Sequence, residues 1–360
     1  MTSERIRFFL PGPSYVPAAA REAMTGPAIG HRGAEFKALY GRLQGPLQRV
    51  MRTAGDVLLA SGSATLVMES AVVSTVRGAV LHCTCGAFAE RWLAISRSHG
   101  LDADEVSAPW GEAIDPDVLR AALKRKTYDA VTVTHNETST GVLNPLAELA
   151  AVVREESDAL ILVDCVSGLG GARLEADAWG LDVALAGAQK ALAAPPGVVA
   201  FTLSQRARER AAAKEHRGFY TDLLRYVMYH ERQGTITTPP IPILFALDRQ
   251  LQVIEEEGIE ARWRRHLELR RQTEAWAGER GYAYASGPEC GSPTVSCLRP
   301  PPGVDPPALV AGLARRGVTV GGGYGRWKPE TFRIGHMGEV RAGDLGALFA
   351  DIDEVARTLG

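Results

Sequence analysis

Lys190 stands in the stretch DVALAGAQKALAAPPGVVAF, residues 182–201, where almost every neighbour is small or apolar. An ammonium in such a setting loses hydration, which disfavours its charged form and lowers its pKa. A lysine tuned in this way can attack an aldehyde and form an imine. A lysine snorkelling out of a loop fits the local pattern equally well. The choice between them depends on what else accompanies it.

Several polar groups follow apolar runs elsewhere in the chain. Asp164 ends ALILV, and Ser63, Ala64 and Thr65 follow DVLLA and open a helical pattern. Thr138 lies in HNETSTG after AVTVT, and Gln189 directly precedes Lys190. Pyridoxal 5'-phosphate requires an amine for its aldehyde, a carboxylate to keep its ring nitrogen protonated, and donors for its phosphate. This set supplies all three, so that cofactor is expected here. Taken singly, Asp164 also suits a turn or helix cap, and Ser63 an ordinary helix N-cap.

These residues need elements that bring them together. Strand patterns in DVLLASGS, AVLHCTCG, YDAVTVTHNE, ALILVDCVSG and WGLDVALAGAQK alternate with helical ones in ATLVMESAVVSTV, AFAERWLAISRSHG, DPDVLRAALKRK and PLAELAAVVREES. AVTVTH and ALILVD are near-continuous apolar runs, the signature of a parallel sheet covered on both faces. The expected fold is therefore α/β, and ligands of such sheets gather beyond the carboxyl ends of the strands. After about residue 245 the pattern becomes a long charged helical stretch, a helix or helix pair. A short strand (TVSCLR), a helix (PPALVAGLARRG), GVTVGGG, TFRIGHMG and a last helix then suffice for a small α+β domain. The expected division is an N-terminal segment over 1–20 packing on the small domain and the site, a large domain over 21–245, and a small one over 246–360.

Bulk composition narrows the partners. Of 360 residues, 46% are hydrophobic and 23% charged, and the net charge is -2, so no nucleic-acid surface is indicated. No apolar run reaches the roughly 20 residues of a membrane span, and MTSERIRFFLPGPS lacks a signal-peptide core. Cys83, Cys85, Cys165, Cys290 and Cys297 are an odd, scattered set that suggests a reducing compartment. No second cluster with ligand spacing completes Cys83-x-Cys85, so no metal site is expected. The expected location is cytoplasmic.

From PGPSYVP through HRGAEF, SGSAT, HNETSTGV, DCVSGLGG, GAQKALAAPPG and TTPP to FRIGHMG, nearly the whole chain resembles the class V aminotransferases of the fold-type-I pyridoxal-phosphate enzymes. Within that class it is similar to the alanine–glyoxylate and serine–glyoxylate (serine–pyruvate) group. The specific motifs are HNETSTGV and GAQKALAAPPG, with Asp164 twenty-six residues before the lysine. The resemblance implies a large domain with a mostly parallel sheet and a small C-terminal α+β domain.

It also implies roles. Lys190 would be the Schiff-base lysine and the base that moves the substrate α-proton, and Asp164 would pair with the pyridine nitrogen. Phe88 would stack on the ring, where several relatives have tryptophan, and Thr138 would lie near the ring hydroxyl. Ser63, Ala64, Thr65 and Gln189 would surround the phosphate, joined by Thr235 and Thr238 from a neighbouring subunit, which makes the expected assembly a homodimer with shared sites. Arg333 would bind the substrate α-carboxylate. His31 and Arg32 either line the entrance or tie the N-terminal segment down, the second being the preferred reading. Relatives often show SGSGT where this chain has SGSAT; a positive φ at Ala64 would be strained.

The implied reaction is a ping-pong transfer from L-alanine or L-serine to glyoxylate or pyruvate. Arg32 and Arg326 are the groups that would admit aspartate or 2-aminoethylphosphonate instead. A lyase or desulfurase on the same fold is the main alternative, and a desulfurase would want a cysteine on a mobile loop. A nicotinamide dehydrogenase is disfavoured because no GxGxxG follows the first strand; GGGYG, residues 321–325, lacks that context and suits a tight loop near the substrate. A non-catalytic scaffold would have no use for the lysine, aspartate, arginine and phosphate-seat residues together.

Overall fold

The structure, a computed structural model, describes residues 6–359; positions 1–5 of the expected N-terminal segment and Gly360 lie outside the described residues. In chain order the strands are β1 (Phe8–Phe9), β2 (Val57–Gly62), β3 (Ala79–Thr84), β4 (Asp102–Ser107), β5 (Ala130–Thr134), β6 (Asn136–Glu137) and β7 (Val142–Leu143). They continue as β8 (Leu160–Asp164), β9 (Val183–Gly187), β10 (Gly197–Thr202), β11 (Ala283–Tyr284), β12 (Val295–Arg299), β13 (Thr319–Gly322) and β14 (Phe332–Gly335).

Seven strands form the large sheet in the order β2-β10-β9-β8-β5-β3-β4. From β9 to β4 every pair is parallel, and β10 runs antiparallel to both β9 and β2. The apolar runs dictate this burial. Alternate residues of one strand feed opposite cores: Val131, Val133, Ile161 and Val163 belong to one, Ala130, Leu160 and Leu162 to the other. Helices cover both faces, as the unbroken hydrophobicity requires. Two strands escape the sequence pattern. β4 reads DADEVS and has a single buried residue because it is the sheet edge, and β10, GVVAFT, is the reversed strand.

The long charged stretch is a helix pair, Ile241–Glu257 and Ile259–Glu279, broken at Gly258. The first helix lays Leu244, Leu247, Leu251 and Ile254 on the large core, so residue 246 falls inside an element of the large core. The second places Leu269, Trp276 and Ala277 in the small one. That smaller core is built on the five-stranded sheet β1-β13-β14-β12-β11 and the helix Ala342–Arg357, with Trp276 stacked on Phe349 at 4.5 Å.

Two features join this second sheet to the region of Lys190. Arg262, fully buried, pairs with Glu257 and Glu339 at 2.8 Å each and donates to the Ala191 carbonyl at 2.9 Å. Removing one partner of such a buried group would cost about 3–5 kcal/mol. The other is the N-terminal segment. β1 pairs in parallel with β13, Phe8 opposite Thr319 and Phe9 opposite Val320. The chain then crosses Gly335 so closely that a Cβ there would meet the Leu10 carbonyl oxygen at 2.3 Å. It ends on the lysine loop, where the Ser14 N–H donates to the Gln189 carbonyl (2.8 Å) and the Ser14 hydroxyl to the Lys190 carbonyl (2.7 Å).

Candidate active site

The C-terminal ends of β2, β5, β8 and β9 deliver their polar residues to one rim, as expected for an open parallel sheet. There Ser63, Ala64, Thr65, Phe88, Thr138, Asp164, Gln189 and Lys190 line a single pocket, together with Met68, Arg91 and Val166.

Lys190 is 9% exposed and its Nζ donates to the Pro11 carbonyl at 2.6 Å. Burial pulls its pKa down to about 8; Asp164 opposes the shift, and the positive charge of Arg333 adds to it. The neutral, nucleophilic fraction therefore rises as pH passes through about 8, well before that of an exposed lysine. We expect amine-directed labelling at Lys190, followed by peptide mass spectrometry in cofactor-free protein, to show an inflection near pH 8. Asp164→Asn removes the charge that favours the ammonium and moves the inflection to lower pH. An inflection where surface lysines titrate would contradict the burial argument.

Asp164 is buried and its Oδ1 accepts the Val166 N–H at 2.7 Å. Burial raises its pKa to about 6, partly countered by that hydrogen bond and by Lys190 and Arg91. Among the described residues no donor is assigned to Oδ2. A cationic N–H placed there would return the carboxyl to its ionised form.

Ser63 is the N-cap of the helix Ala64–Thr75 and makes no side-chain capping bond. The first N–H groups of a helix have no intrahelical acceptor and attract anions. The positive φ of this turn falls on Gly62 (146°), so Ala64 carries none of the strain expected of a positive φ. An amine, a carboxylate oxygen awaiting a donor and an uncapped helix start match the aldehyde, ring nitrogen and phosphate of pyridoxal phosphate. The pocket fits that cofactor.

Phe88 is held by a device that sequence reasoning missed. Glu137, wholly buried, accepts the Phe88 and Ala89 N–H groups on Oε2 (3.0 and 2.9 Å) and the Ser139 hydroxyl on Oε1 (2.7 Å). Ser139 Oγ in turn accepts the Ala87 N–H, so HNETSTG caps the helix Ala87–Ser98 and fixes where Phe88 points. The signal was a carboxylate among hydroxyls just after an apolar strand. The Thr138 hydroxyl donates to Ser167 Oγ at 2.7 Å.

Arg333 on β14 approaches this group: its Nε donates to the Gly322 carbonyl (2.9 Å) and its Nη1 to the Thr138 carbonyl (3.1 Å). Tyr324, from GGGYG, lies between, 5.4 Å from the Phe88 ring and 5.3 Å from the guanidinium carbon. Thr235 and Thr238 are not part of this pocket. Thr235 lines a separate basic one with His31, Arg32, Lys37, Tyr229 and Arg232, and Thr238 is exposed. Arg326 stacks on Trp110 at 4.4 Å.

Comparison with known proteins follows the same lines. The family model described as aminotransferase class-V matches residues 63–356. The chain is 35% identical to an uncharacterized aminotransferase of Methanocaldococcus jannaschii, over 98% of this chain and 92% of that one. It is 32% identical to a protein of Synechococcus sp. named "Soluble hydrogenase, small subunit", over 99% and 94%. It is also 32% identical to an L-aspartate–glyoxylate aminotransferase of Paracoccus denitrificans, over 94% and 88%. Among solved structures it is similar to an alanine–glyoxylate aminotransferase from Nostoc sp., at a TM-score of 0.92 and 30% identity, covering 99% of this chain and 96% of that one.

Proposed function

The chain belongs to the class-V aminotransferase family, and from that premise we propose that it transfers the amino group of a small L-amino acid, alanine or serine first, to glyoxylate or pyruvate. The observation that carries this reading is the single pocket in which Lys190, Asp164, Phe88, Thr138, Gln189 and the Ser63–Thr65 helix start meet. When bound there, pyridoxal phosphate supplies an aldehyde and a protonated ring that drains electron density from the substrate α-carbon.

The chain's own residues would do the rest. The Lys190 amine, whose neutral form burial makes more accessible than that of an exposed lysine, takes the proton from the α-carbon in one half-reaction and returns one there in the other. Asp164 holds the proton on the ring nitrogen. Arg333, already aimed by two backbone carbonyls, presents the remaining donors of its fork to the α-carboxylate. Phe88 covers one ring face. Thr235 and Thr238 lie away from the pocket of their own chain, which supports their assignment to a partner's site in a homodimer. A cytoplasmic location belongs to the same proposal and agrees with five free cysteines; among the described residues no helix is long and apolar enough to cross a membrane. None of those cysteines lines the pocket, which argues against a desulfurase.

The test is the visible absorbance of protein reconstituted with pyridoxal phosphate, before and after adding L-alanine, L-serine or L-aspartate separately. Bleaching by one donor and recovery on adding glyoxylate or pyruvate supports transamination and names the donor; aspartate is included because the Paracoccus relative is named for it. A band that no donor moves would refute it. Arg333→Ala should raise KM for donor and acceptor by about 100-fold, the worth of a charge-assisted pair, with a smaller change in kcat. Arg333→Lys should recover only part, since a point charge cannot replace a fork. Unchanged KM values would remove Arg333 from carboxylate binding.

A further inference from the structure

Arg91 lies one turn after Phe88 on the helix Ala87–Ser98 and lines the pocket of Lys190 and Asp164. Its Nη1 donates to the Thr65 hydroxyl at 3.0 Å, and Thr65 lies in the first turn of the uncapped helix Ala64–Thr75. Its guanidinium carbon is 4.9 Å from the centre of the Phe88 ring. One donor and one face are thus engaged.

The rest of the group is not matched by an acid. Among the described residues no carboxylate is paired with Arg91, whereas Arg120, Arg154, Arg208, Arg262 and Arg265 each have one within 3 Å. A half-buried guanidinium without a counter-ion is costly unless an anion comes to it. Here it adjoins the one helix start in the pocket whose N–H groups also call for an anion. Both features carry the same sign and both touch Thr65. The charge of Arg91 also reaches the two groups expected to react: it helps keep Asp164 ionised and Lys190 neutral.

We propose that Arg91 is the counter-ion of the cofactor phosphate, closing over the Ser63–Thr65 helix start a seat that selects phosphorylated pyridoxal over the bare aldehyde. The proposal rests on this pocket being the cofactor site. A fork that binds the phosphate while its face rests on Phe88 also couples phosphate binding to the placement of the stacking ring, three residues earlier on the same helix face.

The experiment compares the dissociation constants of pyridoxal phosphate and of pyridoxal for wild-type, Arg91→Lys and Arg91→Met protein, by equilibrium absorbance and fluorescence. Thermal shift by inorganic phosphate is measured on the cofactor-free form of each. Arg91→Met should weaken pyridoxal phosphate by roughly 10- to 100-fold and pyridoxal by less than about threefold, with Arg91→Lys between wild type and Arg91→Met. Stabilisation by phosphate should be present in wild type and lost in Arg91→Met. Equal losses for both ligands would make Arg91 a brace for the Phe88 ring and overturn the proposal, as would no loss for either. Should Arg91→Met not fold, Arg91→Gln carries the same comparison. Wild-type protein that binds pyridoxal and pyridoxal phosphate equally overturns the phosphate seat alone. Wild-type protein that binds neither overturns the cofactor site and the proposal with it.

Discussion

Lys190→Ala protein should hold no cofactor in covalent linkage and should lose transamination by more than roughly 10⁴-fold, because it lacks both the attaching amine and the group that moves the α-proton. Apart from the bond from its Nζ to the Pro11 carbonyl, which the substitution removes, the structure indicates that little else changes. The hydrogen bonds from Ser14 go to the backbone carbonyls of residues 189 and 190 and survive the substitution, and the neighbours Ala191, Leu192, Ala193 and Ala194 are packed independently of the amine. Borohydride reduction of the reconstituted proteins, followed by peptide mapping, should fix the cofactor on residue 190 in the wild type and on no residue in the variant. Small primary amines added to the variant should restore part of the proton transfer while leaving the cofactor unattached. An adduct elsewhere in the pocket, with activity retained, would remove Lys190 from the centre of the site.

Asp164→Asn is the second large effect, a loss of roughly 10³-fold in the half-reaction with an amino donor, comparable to removing a preorganised charge from a buried site. An amide at this position can no longer hold a proton on a ring nitrogen by charge, although it fits the same space and can still accept the Val166 N–H. The discriminating measurement uses a cofactor analogue with carbon in place of the ring nitrogen. If Asp164 acts through that nitrogen, wild type and variant become equally slow with the analogue, and the two losses do not add. Full additivity would mean that Asp164 acts elsewhere, for instance through the ionisation of Lys190.

Much of this was legible in the sequence because buried parallel strands are nearly pure hydrocarbon, so a polar residue at their ends stands out. Asp164 after LILV and Lys190 after VALAGAQ were visible for that reason, as was the alternation that places them on one rim. Arg91 was not, since in AFAERWLAIS it looks like the solvated face of an amphipathic helix. Only the tertiary contact with Thr65 turns it inward. Glu137 was hidden in a motif valued for its threonine, and its role depends on backbone N–H groups 48 and 49 residues earlier. β4 escaped because an edge strand needs no apolar face, and the antiparallel sense of β10 because hydrophobicity carries no direction.

The pairing of Phe8–Phe9 with Thr319–Val320 has a consequence in time. At synthesis rates of about 5–20 residues per second, the ribosome needs roughly 15–60 s after making β1 to make its partner strand. During that interval the lysine loop has been completed, but the segment that bonds to it through Ser14 has no strand on which to anchor. The nascent large domain therefore waits with its reactive rim uncovered, and the arrival of β13, roughly three hundred residues later, decides when the β1 segment can settle.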